Sequence, residues 1–443
     1  MNIHSYSRKV EIYMKKAFVG ATIINGNKSV PVLKNGTIIV GEDGCIEKIG
    51  DAISPDNCTE VVDVTGKYIM PGLINAHVHL FSNGAAASKS GAGGSMINFA
   101  YAVLRSRLGK MIMTPVYKNM AKAFVNAGVT TVRDCGSFFN LDISTKKLVD
   151  SGKIEGPRII PCGSLIIATG GHGYAMPSTK QISGVPDAIR AARENIRDGA
   201  EWIKICTTGG VTDSKFVGGT DCTHLNLEET KAIVDEAHRR NIMVASHCES
   251  TLGMRDCLEA GVDTIEHGST IMPDMVEKFL HNPKALRGYT AVIPTLLAGG
   301  ALHEHPYEDT PANHIIIANS RYVAQGSNNA MKTSVENGIA VGVGTDSSVP
   351  FCTPYNTYME LVKMQQLTNL DALEIIDIAT RETAMILNID NETGTLDEGK
   401  AADFIVLDKN PLEDLKNIKK PEQVVARGRH YAHPSFKEYP GIE

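Results

Sequence analysis

Long apolar runs are missing from this chain of 443 residues; none reaches the ~18 residues that a membrane span requires. The opening stretch MNIHSYSRKVEIYMKKAFVGATIINGNKSV carries Lys and Arg but lacks the apolar core and small-residue cleavage site of a signal peptide. No C-x-x-C occurs. The nine cysteines are odd in number and scattered, which argues against a disulfide framework and suits a reduced, cytoplasmic setting. Charge of one sign is also scarce. A formal net charge of -6, spread along the chain, gives neither the basic face of a nucleic-acid binder nor a patch for anionic membrane. There is no P-loop, and no G-x-G-x-x-G opens a helix after a first strand, which counts against an open doubly wound sheet. What is left is ordinary globular composition, long enough to bury a large core.

The texture changes along the chain. KKAFVGATII, KNGTIIVGEDGCIEKIG and TEVVDVTGKYIM are short β-branched runs broken by Asn-Gly and Asp-Gly, the signals of hairpins. GTLDEGKAADFIVLD and EQVVARGRHYA repeat that texture near the C-terminus. The spacing predicts a small β-sandwich domain built from both chain ends, residues 1–70 and 391–443. Between them, apolar strands alternate with helical stretches: GLINAHVHL, VTTVRDCG, PRIIPCGSLII, EWIKICTTGG, NIMVASHCES, VDTIEHGST, YTAVIPTLL and IAVGVGTDSS. Such alternation over residues 71–390 predicts an α/β (β/α)8 TIM barrel. SNGAAASKSGAGGS and TGGVTDSKFVGG are expected as long loops on its C-terminal rim.

Residues i and i+2 of a strand share a face, so His77 and His79 in INAHVHL point the same way. His303 and His305 in ALHEHPYED show that this spacing alone is cheap; they are expected at the surface, with pocket lining as the alternative. Chemistry in a barrel collects at the C-terminal ends of strands. There the sequence places His77 and His79 on strand 1, Lys204 on strand 4, His247 on strand 5, His267 on strand 6 and Asp346 on strand 8. Each alone has a dull explanation, such as a histidine bonded to a carbonyl or an aspartate capping a helix. Five strands delivering donors to one rim point to a metal site. Lys204 interrupts an apolar strand and shares a face with Trp202 and Cys206. A buried, unpaired ammonium tends to lose its proton. The neutral amine can then take up carbon dioxide to form an anionic carbamate able to bridge two metals; a salt bridge to a barrel carboxylate is the alternative. Arg133 and Asp134 are expected as a structural ion pair at the rim, and Cys206 and Cys248 as packing residues.

As an ordered set, NAHVHL, WIKI, SHCES, IEHGS and VGTDSS resemble the metal-dependent amidohydrolase superfamily, in the branch with a binuclear centre and a carboxylated lysine. GVTTVRD, TGGHG and the lysine of WIKI resemble its imidazolonepropionase-related, prolidase-like group. The likeness spans nearly the whole chain. It implies that His77, His79 and Asp346 hold a first metal, His247 and His267 a second, and carboxylated Lys204 the bridge. Two divalent ions are implied, zinc suiting the donors best, with Mn, Co or Fe as alternatives. They would share a hydroxide, because coordination lowers the pKa of water toward ~7. Asp346 would act as general base and acid, and His172 in TGGHGYAM would bind substrate and donate to the developing oxyanion. Where dipeptidase-like relatives carry a Gln-Tyr pair, this chain has Thr223 and His224, making His224 the candidate substrate contact; Tyr174 and Lys215 are further candidates.

The implied function is hydrolysis of an amide C–N bond, in a dipeptide or an N-acyl amino acid. The alternative is a cyclic amide or amidine, including deamination of a ring. Deaminases of the superfamily usually use one metal, lack the strand-4 lysine and carry H-x-x-E on strand 5. Here HCES places Glu249 one residue too early. A non-enzymatic scaffold is disfavoured, because a scaffold has no reason to keep buried charge. The expected partner is a small-molecule substrate, with no nucleic acid and no membrane, and the resemblance implies a homo-oligomer.

Overall fold

The runs broken by Asn-Gly and Asp-Gly become five strands: β1 (Lys16–Ile23), β2 (Leu33–Val40), β3 (Ile46–Gly50), β4 (Glu60–Asp63) and β5 (Tyr68–Pro71). The central region follows with β6 (Leu73–Val78), β7 (Val129–Asp134), β8 (Arg158–Pro161), β9 (Ile166–Ala168), β10 (Lys180–Ile182), β11 (Trp202–Cys206), β12 (Met243–Cys248), β13 (Thr264–His267) and β14 (Ala291–Ile293). The chain returns through β15 (Phe404–Leu407), β16 (Gln423–Ala426) and β17 (Arg429–Tyr431). The structure is a computed structural model describing residues 14–85, 103–104, 106–305, 310–439 and 442. Most of the Gly-rich loop expected after strand 1, from residue 86 onward, lies outside the described residues, as do residues 1–13.

Both chain ends share one sheet, in the order β17-β16-β15-β5-β1-β2-β3 with β4 also beside β1. Gly20, at φ 86, lets β1 turn there: a Cβ would meet Thr65 Oγ1 at 2.3 Å. The first half of β1 therefore pairs with β4 and its end with β5. The sheet folds over a core of its own. Phe18 and Phe404 meet edge to face at 5.0 Å, among Ile38, Ile69 and Val425.

The barrel strands are parallel, β6-β7-β8 in one run and β9-β11-β12-β13-β14 in another. Strand 3 is split. Gly163, at φ 69, separates β8, which pairs with β7, from β9, which pairs with β11. Glu201 N–H to Pro161 carbonyl, 2.8 Å, joins the two runs. The eighth position is an irregular segment around 340–346 rather than a regular strand. Its Gly342 N–H donates to Val292 on one side, and its Val343 carbonyl accepts from Ala76 on the other, at 3.0 and 2.7 Å. Close packing there admits only glycine at 344, where a Cβ would lie 2.4 Å from Ile293 Cγ2 and 2.7 Å from His77 Cβ. Trp202, Met243 and Ala291 from the strands pack in one apolar cluster with Ile386.

The predicted helices form, among them Val185–Asp198, Leu227–His238 and Thr251–Ala260. The long helix Pro311–Asn337 begins where Thr310 caps it by accepting from Asn313 N–H. No helix among the described residues is long and apolar enough to cross a membrane.

Helix Leu296–Glu304 follows strand 7, and the carboxylate of Glu360 accepts its first N–H groups, Leu296 at 2.7 Å and Leu297 at 2.9 Å. Burial pushes the Glu360 carboxyl up to about 7, against the downward pull of those N–H groups and Lys363. A folded pKa above the unfolded one means the native state holds the extra proton. The stabilisation is full below the unfolded pKa and is lost as pH rises through about 7. We expect Glu360→Gln to remove a fall of about 3 kcal/mol from the stability profile between pH 4.5 and 8. Denaturant unfolding at both ends of that range checks it; an unchanged slope would mean Glu360 is ionised throughout.

Candidate metal centre

Four imidazoles converge because each ring is held by a second partner. His77 Nδ1 lies 2.6 Å from Glu266 Oε2, and His79 Nδ1 lies 3.1 Å from the Gly136 carbonyl. Both rings thereby turn Nε2 inward: His77 Nε2 is 3.5 Å and His79 Nε2 3.2 Å from Asp346 Oδ1. Lys204 Nζ lies 3.3 Å from His77 Nε2. His267 Nδ1 is 2.7 Å from Thr295 Oγ1, and His247 Nε2 is 2.9 Å from the Gly209 carbonyl. The His267 ring sits 5.0 Å from His77 and 4.6 Å from His247. Second partners of this kind set the tautomer and orientation of metal-ligating histidines.

The backbone is bent to deliver these groups. His267, Thr295 and Asp346 have φ of 68°, 45° and 53°, the left-handed region, so three neighbouring strand positions leave the barrel by a sharp turn. Such conformations cost on the order of 1 kcal/mol or more each and cluster at functional sites. At β12 the exit is set by Ser250, whose side chain accepts from Gly253 N–H and starts the next helix directly after His247, Cys248 and Glu249.

Beneath the imidazoles lies a buried charged network that the sequence reading assigned wrongly. Arg133 and Asp134 are successive on β7, so they face opposite ways and do not pair. Arg133 instead reaches Glu266 Oε1 at 2.7 Å, Thr264 Oγ1 at 3.0 Å and the Ala76 carbonyl at 2.6 Å, with its guanidinium 4.4 Å over the Trp202 ring. Burial would raise the Glu266 carboxyl, but Arg133 and His77 outweigh it and hold it well below the usual carboxylate range. Asp346 is likewise held low by His77, His79 and His267 against the effect of burial. Burial and neighbouring cations keep His247 and His267 neutral, the form that ligates metal. Lys204 departs from expectation. Burial favours its neutral amine, but Cys135, Glu266 and Asp346 push the pKa up, so without cations nearby it stands as the ammonium.

His172 stacks on His247 at 4.4 Å, its Nδ1 2.8 Å from Asp213 Oδ1. His224 is half-buried next to it, Nδ1 accepting from His172 N–H at 3.2 Å. Tyr174 and Lys215 are exposed on the surrounding loops. His303 bonds to Ser320 and His305 stacks on Phe351, so both are half-buried rather than surface residues. Cys206 and Cys248 are packed in apolar clusters. Sequence reasoning missed Glu266, Asp213 and Thr295. Glu266, an acid inside an apolar strand, carried the same signal as Lys204; the other two lie where no pattern marks them.

The donors fit divalent cations. Among the described residues, donor atoms of His77, His267 and Asp346 lie within 4.8 Å of one another, as do those of His247, Glu249 and His267. His267 thus stands between both groups rather than with His247 alone. A model of the amidohydrolase family matches residues 68–430. The chain belongs to the amidohydrolase family. This amidohydrolase is metal-dependent in type, falls in the prolidase-like group and is a hydrolase acting on C–N bonds. Among solved structures it is similar to a prolidase candidate from Bifidobacterium longum, with TM-score 0.84 and 35% identity over 97% of this chain and 98% of that one. Ochratoxinase from Aspergillus niger is 25% identical, covering 80% of this chain and 73% of the relative. A 5-methylthioadenosine/S-adenosylhomocysteine deaminase from Bacillus cytotoxicus is also 25% identical, covering 89% and 86%.

Proposed function

We propose that this amidohydrolase cleaves the amide C–N bond of a dipeptide or an N-acyl amino acid, using two divalent cations for which zinc best matches the donors. His77, His79 and Asp346 would hold one ion, His247 and His267 the other, and Lys204, carboxylated once cations draw off its proton, would bridge them. The observation that carries the reading is the convergence of Lys204 Nζ, His77 Nε2 and Asp346 Oδ1 within 3.5 Å contacts, ringed by neutral imidazoles. Bound cations supply an acidic water at neutral pH and polarise the amide carbonyl.

The chain's own residues do the rest. Asp346 is kept ionised and accepts the proton of the attacking water, then returns it to the departing amine nitrogen. His172, gripped at Nδ1 by Asp213, presents Nε2 to the amide oxygen, where it would donate to the oxyanion. His224 lies beside His172, where the leaving residue's carboxylate would meet it.

Likeness to the prolidase candidate supports the dipeptide reading, and likeness to the deaminase supports ring deamination as the second. Lys204 on β11, and HCES in place of H-x-x-E, favour the first. The deciding test is metal content together with a substrate screen. Close to two ions per chain and amine release from dipeptides or N-acyl amino acids are expected. One ion with ammonia release from ring substrates would replace the reading with the deaminase. Lys204→Ala should cost the centre an ion, and an untouched metal content would count heavily against the carbamate.

A further inference from the structure

One buried carboxylate in the cup has no part in the chemistry above. Glu249 follows His247 and Cys248, its side chain 6% exposed. Its N–H is fixed to Thr208 Oγ1 at 3.0 Å, which ties the exit of β12 to the end of β11. Its Oε2 has no hydrogen-bond partner among the described residues. Donor atoms of His247, Glu249 and His267 fall within 4.8 Å of one another. His247 Nε2 faces the Gly209 carbonyl, leaving the other ring nitrogen to ligate, and His267 Nδ1 is engaged by Thr295, leaving Nε2.

A buried carboxyl without a donor keeps its proton, as burial, Asp346 and Asp213 favour for Glu249, unless a cation displaces it. Two imidazoles and one carboxylate form a recurrent donor set for divalent ions. We propose that Glu249 is a direct ligand of the second cation, completing a His247–Glu249–His267 set beside the Lys204 bridge. The inference rests on the two-cation reading of the cup. It adds a donor that the motif resemblance does not contain. It also gives the two ions different dependences: one leans on Lys204, the other on Glu249. A substrate ammonium paired with Glu249 is the competing occupant. An ammonium could use the same lone pairs, but two imidazoles with a carboxylate are the recurrent donor set of a dication, which is the occupant proposed.

The test is calorimetric titration of chelator-stripped wild type, Glu249→Gln, Lys204→Ala and the double variant with Zn²⁺. Co²⁺ visible spectra report the coordination directly. Wild type should take two ions. Glu249→Gln should bind the first unchanged and the second weaker by at least ~10–100-fold, the cost of losing even an outer partner of a metal ligand. Lys204→Ala should keep one ion and the double variant none. Glu249→Asp, which retains a carboxylate, should recover part of the loss, and melting of stripped Glu249→Gln verifies folding. If Glu249→Gln titrates like wild type, the inference is overturned and the two-cation reading stands. If wild type takes only one ion, the two-cation reading falls and the inference falls with it. If metal binding is intact but KM rises only for substrates with a free α-ammonium, relative to N-acyl analogues, Glu249 is a substrate contact and the proposal is wrong.

Discussion

Arg133→Met should destabilise the chelator-stripped protein by about 3–5 kcal/mol, because it strands a buried carboxylate. Arg133 and Glu266 are both fully buried, and the guanidinium is the cation that offsets Glu266 from below. Without it, Glu266 keeps Thr264 and His77 but has no permanent positive charge within hydrogen-bond reach. The double variant Arg133→Met/Glu266→Gln should recover much of the loss, since removing both charges also removes the desolvation cost. That recovery in stability should come with weaker metal binding at His77, because the amide no longer fixes the ring as a carboxylate does. Urea unfolding of the two variants checks the first part and Zn²⁺ titration the second. A loss under about 1 kcal/mol for Arg133→Met would show that Glu266 is protonated instead.

Asp346→Asn should lower kcat by about 10³-fold or more while leaving the fold intact, within the span expected for a lost acid–base group. The backbone makes this a clean substitution. Asp346 sits at φ 53, which Asn tolerates well among non-glycine residues, so the variant keeps the turn. Asp346→Ala would add strain at the same position and confuse the result. The amide cannot accept the proton of the attacking water, and it is a poorer partner for His77 and His79. Steady-state kinetics on metal-saturated enzyme separates the two effects: loss of kcat at full metal occupancy belongs to proton transfer. Activity within tenfold of wild type would assign the base to another group.

The polar rim was legible in the sequence because strand alternation is simple arithmetic. Once eight apolar strands were counted, His77, His79, Lys204, His247, His267 and Asp346 fell at their C-terminal ends without further assumption. The shared sheet of both chain ends was legible for the same reason, from β-branched runs ended by Asn-Gly and Asp-Gly. What escaped depended on through-space contacts. Arg133 was matched to its chain neighbour Asp134, although alternation itself sends the two side chains to opposite faces. Its true partner, Glu266, stands 133 positions later. Asp213 acts through a loop, and loops carry no period to read. The eighth barrel position was expected as a strand, but the segment around 340–346 runs irregularly there, with glycine at 344 packed close to Ile293 and His77. Around Lys204, burial and Asp346 were readable from sequence, while Glu266 and Cys135, contributed by other strands, were not.

The order of strands in the terminal sheet has a consequence for synthesis. β15 lies directly against β5, with Ile405 opposite Met70, although nearly the whole barrel separates them along the chain. At ribosomal speeds of about 5–20 residues per second, β5 waits roughly 20 s to a minute for its partner. During that interval its unpaired edge, with Ile69 and Met70 beside it, leads straight into the first barrel strand. The nascent protein therefore carries an open strand edge until its closing residues emerge. We expect folding intermediates captured on stalled ribosomes to engage chaperones through residues 60–75.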